Sequence, residues 1–268
     1  MSLNEQAKRV HYFHAEASAL GGRIEQPFQQ LIPVQAPLSL PPVGGFATAR
    51  VGHFSVDGIL SFDAAYTQVS GSSKSKNGPW STMATCVVEG LNVLNIFSAD
   101  RIVAQLATEH PAEGYHPRVT FAGTKFEGVR IAGNPVTLDV DINICNLGSD
   151  AAYPKDAYVR DRGFLTRVAE QNRVLNSPAC ALPGWIKERY PVDIDKRAKD
   201  NVVCSIVKSI GGKPGHIFEV PQYGRGFLGE LLVDSGTFQL IMVRLDLGCA
   251  NVGDSSIGVV RGNGRTEP

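Results

Sequence analysis

The sequence predicts a mainly β fold, an antiparallel sandwich-like or solenoid-like domain interrupted by an inserted segment that contains one helix. Three observations carry that prediction. Apolar and polar residues alternate with period two, as where His11, Phe13, Ala15, Ala17 and Ala19 interleave with Tyr12, His14 and Glu16. The chain's 28 Gly and 16 Pro punctuate such runs into pieces of strand length. Between residues 148 and 213 the period becomes helical, and 12 basic and 8 acidic side chains (12 − 8 = +4) crowd into 66 of the 268 residues. The boundaries read as 1–147 plus 214–268 for the β domain and 148–213 for the charged insertion.

Taken in order, the first run starts at Val10 and ends at Gly21-Gly22, before a connecting stretch marked by Pro33, Pro37, Pro41 and Pro42. A second run spans Val51–Phe62, and residues 71–78 (GSSKSKNG) form a polar loop. Strand patterns resume at 81–94, 99–107, 118–121, 128–131 and 136–144. Asp156 is a good N-cap for a helix over about 157–175, with Tyr158, Leu165, Val168, Asn172 and Leu175 near one face, joined by Phe164. Gly163 weakens that helix by about 1 kcal/mol, and Asn176-Ser177-Pro178 stops it. One more strand is expected at 201–210. The clearest hairpin joins 226–233 to 237–247 through Asp234-Ser235-Gly236, whose glycine could take positive φ. Glu89-Gly90-Leu91-Asn92-Val93 echoes Glu127-Gly128-Val129-Arg130-Ile131. Two copies do not make a solenoid, and coincidence between strands is the simpler account.

Charge and composition exclude several functions. The balance is 26 − 26 = 0, against the net basic charge of a dedicated nucleic-acid binder. No apolar run approaches a membrane span; the longest aliphatic one near the end is Leu240-Ile241-Met242-Val243. No apolar stretch follows Lys8-Arg9, so the expectation is a cytoplasmic protein, or an extracytoplasmic one if a leader is missing. Cys86, Cys145, Cys180, Cys204 and Cys249 contain no C-x-x-C pair and read as buried thiols, with a Cys145–Cys249 bridge open in an oxidising compartment.

No cofactor is expected. Gly224-x-Gly226-x-x-Gly229 has the letters of a dinucleotide fingerprint but runs into Glu230-Leu-Leu-Val and a hairpin, not into a helix. Gly212-Lys-Pro-Gly215 lacks the Ser/Thr and helix of a phosphate loop. Gly-x-Ser-x-Gly is absent, and Ser73/Lys76 and Ser205/Lys208 lack the companion motifs of a Ser-x-x-Lys enzyme.

Three groups of residues remain as candidate sites. Asp139 and Asp141, two apart on an expected strand, would share one face with Cα atoms about 6.6 Å apart. Paired carboxylates serve glycoside hydrolysis, although a half-exposed strand shows the same alternation more often. His110, Glu113 and His116 are ligand types, but Pro111, Gly114 and Pro117 break the helix that would align them on a metal, so no metal is expected. Trp185 and Tyr190, interleaved with Lys187 and Arg189, offer stacking and charge for a glycan, nucleic-acid or protein ligand, while nearby Glu188 and Asp193 offset that charge.

The order of segments resembles the bacterial secreted, β-rich proteins of the "choice-of-anchor P" type. The likeness lies in Ala17-Ser-Ala-Leu-Gly-Gly, Leu40-Pro-Pro-Val-Gly-Gly, the run Ala84–Ala104, Phe126-Glu-Gly-Val-Arg-Ile-Ala-Gly-Asn-Pro-Val and Gly253-Asp-Ser-Ser-Ile-Gly-Val-Val. It implies an extracytoplasmic β module with no assigned activity and no functional residues to carry over. The resulting expectation is a non-enzymatic binding or structural module, self-associating through exposed strand edges or holding a glycan or protein partner. The alternative is a glycan-active hydrolase using Asp139 and Asp141.

Overall fold

The structure, a computed structural model, describes residues 10–267 apart from 27–28, 57, 76, 113–115, 147–152, 155, 179, 181, 194–200 and 249–251. The first half holds β1 (Val10–Gln26), β2 (Gln30–Gln35), β3 (Leu38–Ser39), β4 (Gly45–Val51), β5 (Phe54–Val56), β6 (Leu60–Phe62), β7 (Ala64–Ser73) and β8 (Trp80–Val93). Then come β9 (Phe97–His110), β10 (Arg118–Thr120), β11 (Lys125–Glu127), β12 (Arg130–Ile131), β13 (Asn134–Pro135) and β14 (Leu138–Val140). Two helices follow, α1 (Arg162–Asn176) and α2 (Gly184–Arg189). The chain closes with β15 (Asn201–Ser205), β16 (Val207–Ile210), β17 (Lys213–Pro214), β18 (Ile217–Val220), β19 (Gly224–Asp234), β20 (Phe238–Leu247) and β21 (Val252–Glu267).

These strands form two large antiparallel sheets and a small one. The first sheet runs β15-β19-β20-β21-β1-β2, with β18 on β19 and β3 on β1. The second runs β13-β12-β9-β8-β6-β5, with β10 and β11 on β9 and with β7 joining β8 to β4. The third is β14-β16-β17. Strands β1 and β21 lie against β7, β8 and β9, so the two large sheets form a sandwich, and no barrel closes. Small side chains (Ala15, Ala17, Ala84, Ala104) meet large ones (Phe62, Phe97, Ile102, Leu106, Leu240) in one apolar core.

The long strands change which face they bury halfway along. In β8 the buried residues are Trp80, Thr82, Ala84, Cys86 and Val88, then Leu91 and Val93; in β20 they are Phe238, Leu240 and Met242, then Val243 and Leu245. The switches fall on transverse rows at which the ladders skip a pair, Gly229–Met242–Gly258–Ala19 in the first sheet and Gly90–Asp100–Gly128 in the second. Gly90, Gly128, Gly229 and Gly258 take φ of +65°, +63°, +63° and +65°, which turns the strand over at modest cost only where no Cβ is present. The Glu-Gly echo is therefore structural rather than coincidental. Its copies flank β9, with Glu89 and Glu127 each opposite Arg101.

Several sequence expectations need correction. β1 runs on through Gly21-Gly22 to Gln26. The helix begins at Arg162, not at 157, because Asp161 is the residue whose carboxylate accepts the Phe164 N–H, at 2.6 Å; Tyr158–Arg160 form a separate 3-10 turn. α2 is a second helix where one was expected. The 201–210 strand divides at Ile206, its halves joining β19 and β14 respectively. The hairpin turn is held by the Asp234 side chain, which accepts N–H groups from Gly236 and Thr237, without a positive φ at Gly236.

The charged segment is stitched into the sandwich. Tyr158, Val159, Phe164 and Val168 belong to the main core. Gln171 exchanges two hydrogen bonds of 2.8 Å with the Ser205 backbone, and Arg167 donates to the Ile144 carbonyl at 3.1 Å.

Candidate functional site

An antiparallel sandwich ends in strand edges, and each edge offers unpaired backbone N–H and C=O groups unless something guards it. Three of the edges here are guarded. β2 carries Pro33 and pairs irregularly with β1. The far side of β9 is covered only by pieces of two or three residues, β10 to β13. β15 is capped by the Gln171 amide.

β4 is different. Its seven residues Gly45–Val51 pair continuously with β7, from Gly45↔Gly71 to Val51↔Ala65, and no strand among the described residues pairs with its outer side. It has no Pro, Lys, Asp or Glu, and Arg50 is its sole charge. Phe46, Thr48 and Arg50 are on its exposed face, Phe46 at 65%, beside Val43 at 88%. Ala47, Ala49 and Val51 turn towards the core. This edge is regularly paired on its inner side, largely apolar, and without the proline, lysine or bulge that commonly guards an edge.

A second feature is buried. Glu230, 2% exposed on β19, is bound by Arg244 of β20 (Nε to Oε2, 2.5 Å; Nη2 to Oε1, 3.2 Å), by Arg189 of α2 (3.1 Å) and by the Tyr190 hydroxyl. Burial alone would push the Glu230 carboxyl up, but the hydrogen bonds and charge of Arg244, with Arg189 and Tyr190, hold it down at about 2. Arg244 also bonds Asp246 at 2.8 Å and stacks 3.6 Å over the Phe227 ring. Tyr190 meets the fully buried His216 edge-to-face, with centroids 5.0 Å apart. The cluster is a latch that fastens α2 to the first sheet.

The sequence-derived candidates scatter. Asp139 is exposed opposite Ser209, at a register shift in the β14–β16 ladder. Asp141 lies beyond the strand end, ion-paired to Lys208 at 3.1 Å and accepting the Asn143 N–H at 3.0 Å, so it fixes a turn. Two open hollows of about 480 and 860 Å³, lined by Glu16, Leu38 and Arg261 and by Arg162, Arg173 and Asp193 respectively, contain neither carboxylate. His110 is buried at the end of β9, 4.8 Å from the His11 ring, while His116 donates its backbone N–H to Pro154 and Glu113 lies outside the described residues. No three potential metal-binding side chains converge among the described residues. Trp185 is 54% exposed whereas Tyr190 is fully buried, so the expected aromatic pair does not share a surface. Cys86, Cys145, Cys180 and Cys204 are free thiols, and Cys249 lies outside the described residues.

The buried cluster escaped sequence reading because its members stand up to 55 positions apart, from Arg189 to Arg244. One signal was present: Glu230 is the lone charge within Phe227–Val233. No helix among the described residues is long and apolar enough to cross a membrane. No curated protein matches the chain, and no solved structure does. A family model described as a domain of unknown function, DUF8256, matches residues 11–234, which take in the charged segment, the β4 edge and the latch residues Arg189, Tyr190, His216 and Glu230, but not Arg244. The chain thus belongs to the DUF8256 family.

Proposed function

We propose that this protein is a non-enzymatic assembly module that joins a second copy of itself through β4. The observation that carries the reading is the unguarded seven-residue edge with Phe46 exposed beside it. Edge-to-edge pairing would satisfy the outward backbone groups and cover Phe46. The occupant is a second copy because β4 complements itself. Antiparallel pairing about Thr48 sets Ala47 against Ala49 and Phe46 against the partner's Arg50, so the two arginines never face each other. With a formal net charge of zero, whole copies do not repel. The resemblance to β-rich modules of the choice-of-anchor P type agrees with this reading.

Size-exclusion chromatography with light scattering, run as a dilution series, tests it. The wild type is expected to dimerise. Phe46→Lys, which sets a cation against Arg50, is expected to be monomeric at all concentrations, whereas Phe46→Glu, which meets Arg50 with opposite charge, still dimerises. A wild type that stays monomeric at high concentration sinks the proposal, as does a dimer indifferent to Phe46→Lys. Glycan turnover lost in an Asp139→Asn/Asp141→Asn variant would also overturn it in favour of a hydrolase.

A further inference from the structure

The latch contains one polar side chain that its hydrogen bonds do not use. His216, between β17 and β18, is fully buried, and neither Nδ1 nor Nε2 has a hydrogen-bond partner among the described residues. Its backbone carbonyl accepts the Leu228 N–H at 2.9 Å, which fixes the residue in place beneath α2. The groups around it are Tyr190 and Arg189 from the end of α2, Glu230 from β19 and Arg244 from β20. Both Glu230 oxygens are already engaged: Oε1 accepts from Tyr190, Arg189 and Arg244, and Oε2 from Arg244.

We infer that this cluster is an acid-released latch, in which proton uptake by His216 detaches α2 from the first sheet. The reasoning is electrostatic. A protonated imidazole would place a third cation beside Arg189 and Arg244, and neither of its two N–H donors has a hydrogen-bond partner in the closed cluster. Burial first, and the two arginines after it, hold His216 down at about 4, against a partial opposing pull from Glu230. Once α2 lifts, the ring reaches water and regains its ordinary basicity, so acid favours the open form. Opening would uncover Leu175, Ile186 and Phe227, the small apolar cluster that α2 seals. The β framework, held by its own ladders and core, would remain.

Trp185, on α2 itself, is the reporter. Trp80 stacks on His11 with centroids 5.0 Å apart and would add its own pH response, so the titration is run in a Trp80→Phe background. Between pH 8 and 3.5 the Trp185 emission is expected to shift before the far-ultraviolet circular dichroism changes, and to lose that separate transition in His216→Phe. A shift that persists in His216→Phe, or one that coincides with global unfolding, overturns the inference. Should His216→Phe fail to fold, amide hydrogen exchange on the unmutated protein decides. Loss of protection at Ile186 and Tyr190 between pH 7 and 4.5, with β8 and β9 still protected, supports the latch. Unchanged protection at those two amides overturns it.

Discussion

Glu230 is an ionised carboxylate 2% exposed inside an apolar strand, and its neighbours make that tolerable. Removing one partner of such a group is costly because the other charges stay behind. Glu230→Ala removes the carboxylate that Arg244 and Arg189 share, leaving Asp246 on Arg244 as the remaining anion, and should destabilise the fold by about 3–5 kcal/mol, read as a lower urea midpoint at pH 7. Arg189→Ala should cost much less, since its side chain is 40% exposed and water replaces the carboxylate. Equal losses from the two would show that Glu230 is not the centre of the cluster. The three buried histidines give stability a second pH dependence. Burial depresses His11 to about 4, His110 to about 3 and His216 to about 4, with the His11 ring lowering His110 further. A folded-state value below the unfolded 6.5 means that the unfolded chain binds more protons in acid. Stability should be full above pH 7 and decline as pH falls from 6.5 towards 4, as urea midpoints at several pH values would register. A flat profile over that window would contradict the burial of these rings.

Strands this long stay in a sandwich because they turn over at the two transverse rows. Gly90 and Gly128 are the pivots of the second sheet, and a Cβ at either would overlap a carboxylate, Asp63 or Asp100, besides straining a φ near +65°. Gly90→Ala and Gly128→Ala should each lower stability by about 1–3 kcal/mol, whereas Gly133→Ala, at positive φ in an open turn, should cost only the conformational part. Chemical denaturation of the three variants ranks them, and equal losses would remove the steric component of the argument. These rows also explain which part of the fold was legible. Period-two alternation revealed the strands because each half-strand keeps it, and the hairpin around Asp234 was visible for the same reason. The phase breaks at Glu89-Gly90 and Met242-Val243 did not hide the strands, because 81–94 and 237–247 each read as one run from their flanking alternation. β1 passes through Gly21-Gly22 because tertiary pairing with β21 outweighs the weak preference of glycine. α2 has six residues and no side-chain cap, so no local signal marks it. Asp139 and Asp141 looked paired only because a strand was assumed to continue past Val140, where the ladder shifts register.

Across the whole molecule, the charged middle segment and the sparsely charged framework have separate tasks. α1 and the Gln171–Ser205 bonds close one edge of the first sheet, while the second sheet keeps β4 open. A sandwich that closes one edge with a dedicated helix yet leaves a longer one bare fits the proposed association at the bare edge. That arrangement couples assembly to stability. If two copies pair only when folded, mass action stabilises the native state increasingly as concentration rises above the dissociation constant, by about 2.7 kcal/mol at a hundredfold excess. The Tm of the wild type should therefore climb with protein concentration. Phe46→Lys should show a Tm independent of concentration and equal to that of the wild type at high dilution, because Phe46 is 65% exposed and adds little to the core of a single copy. Differential scanning calorimetry over a hundredfold concentration range makes the comparison. A concentration-independent wild-type Tm would mean that β4 stays unpaired in solution. A Phe46→Lys Tm below that of the dilute wild type would mean that Phe46 supports the monomer, and the edge would then belong to the fold rather than to an interface.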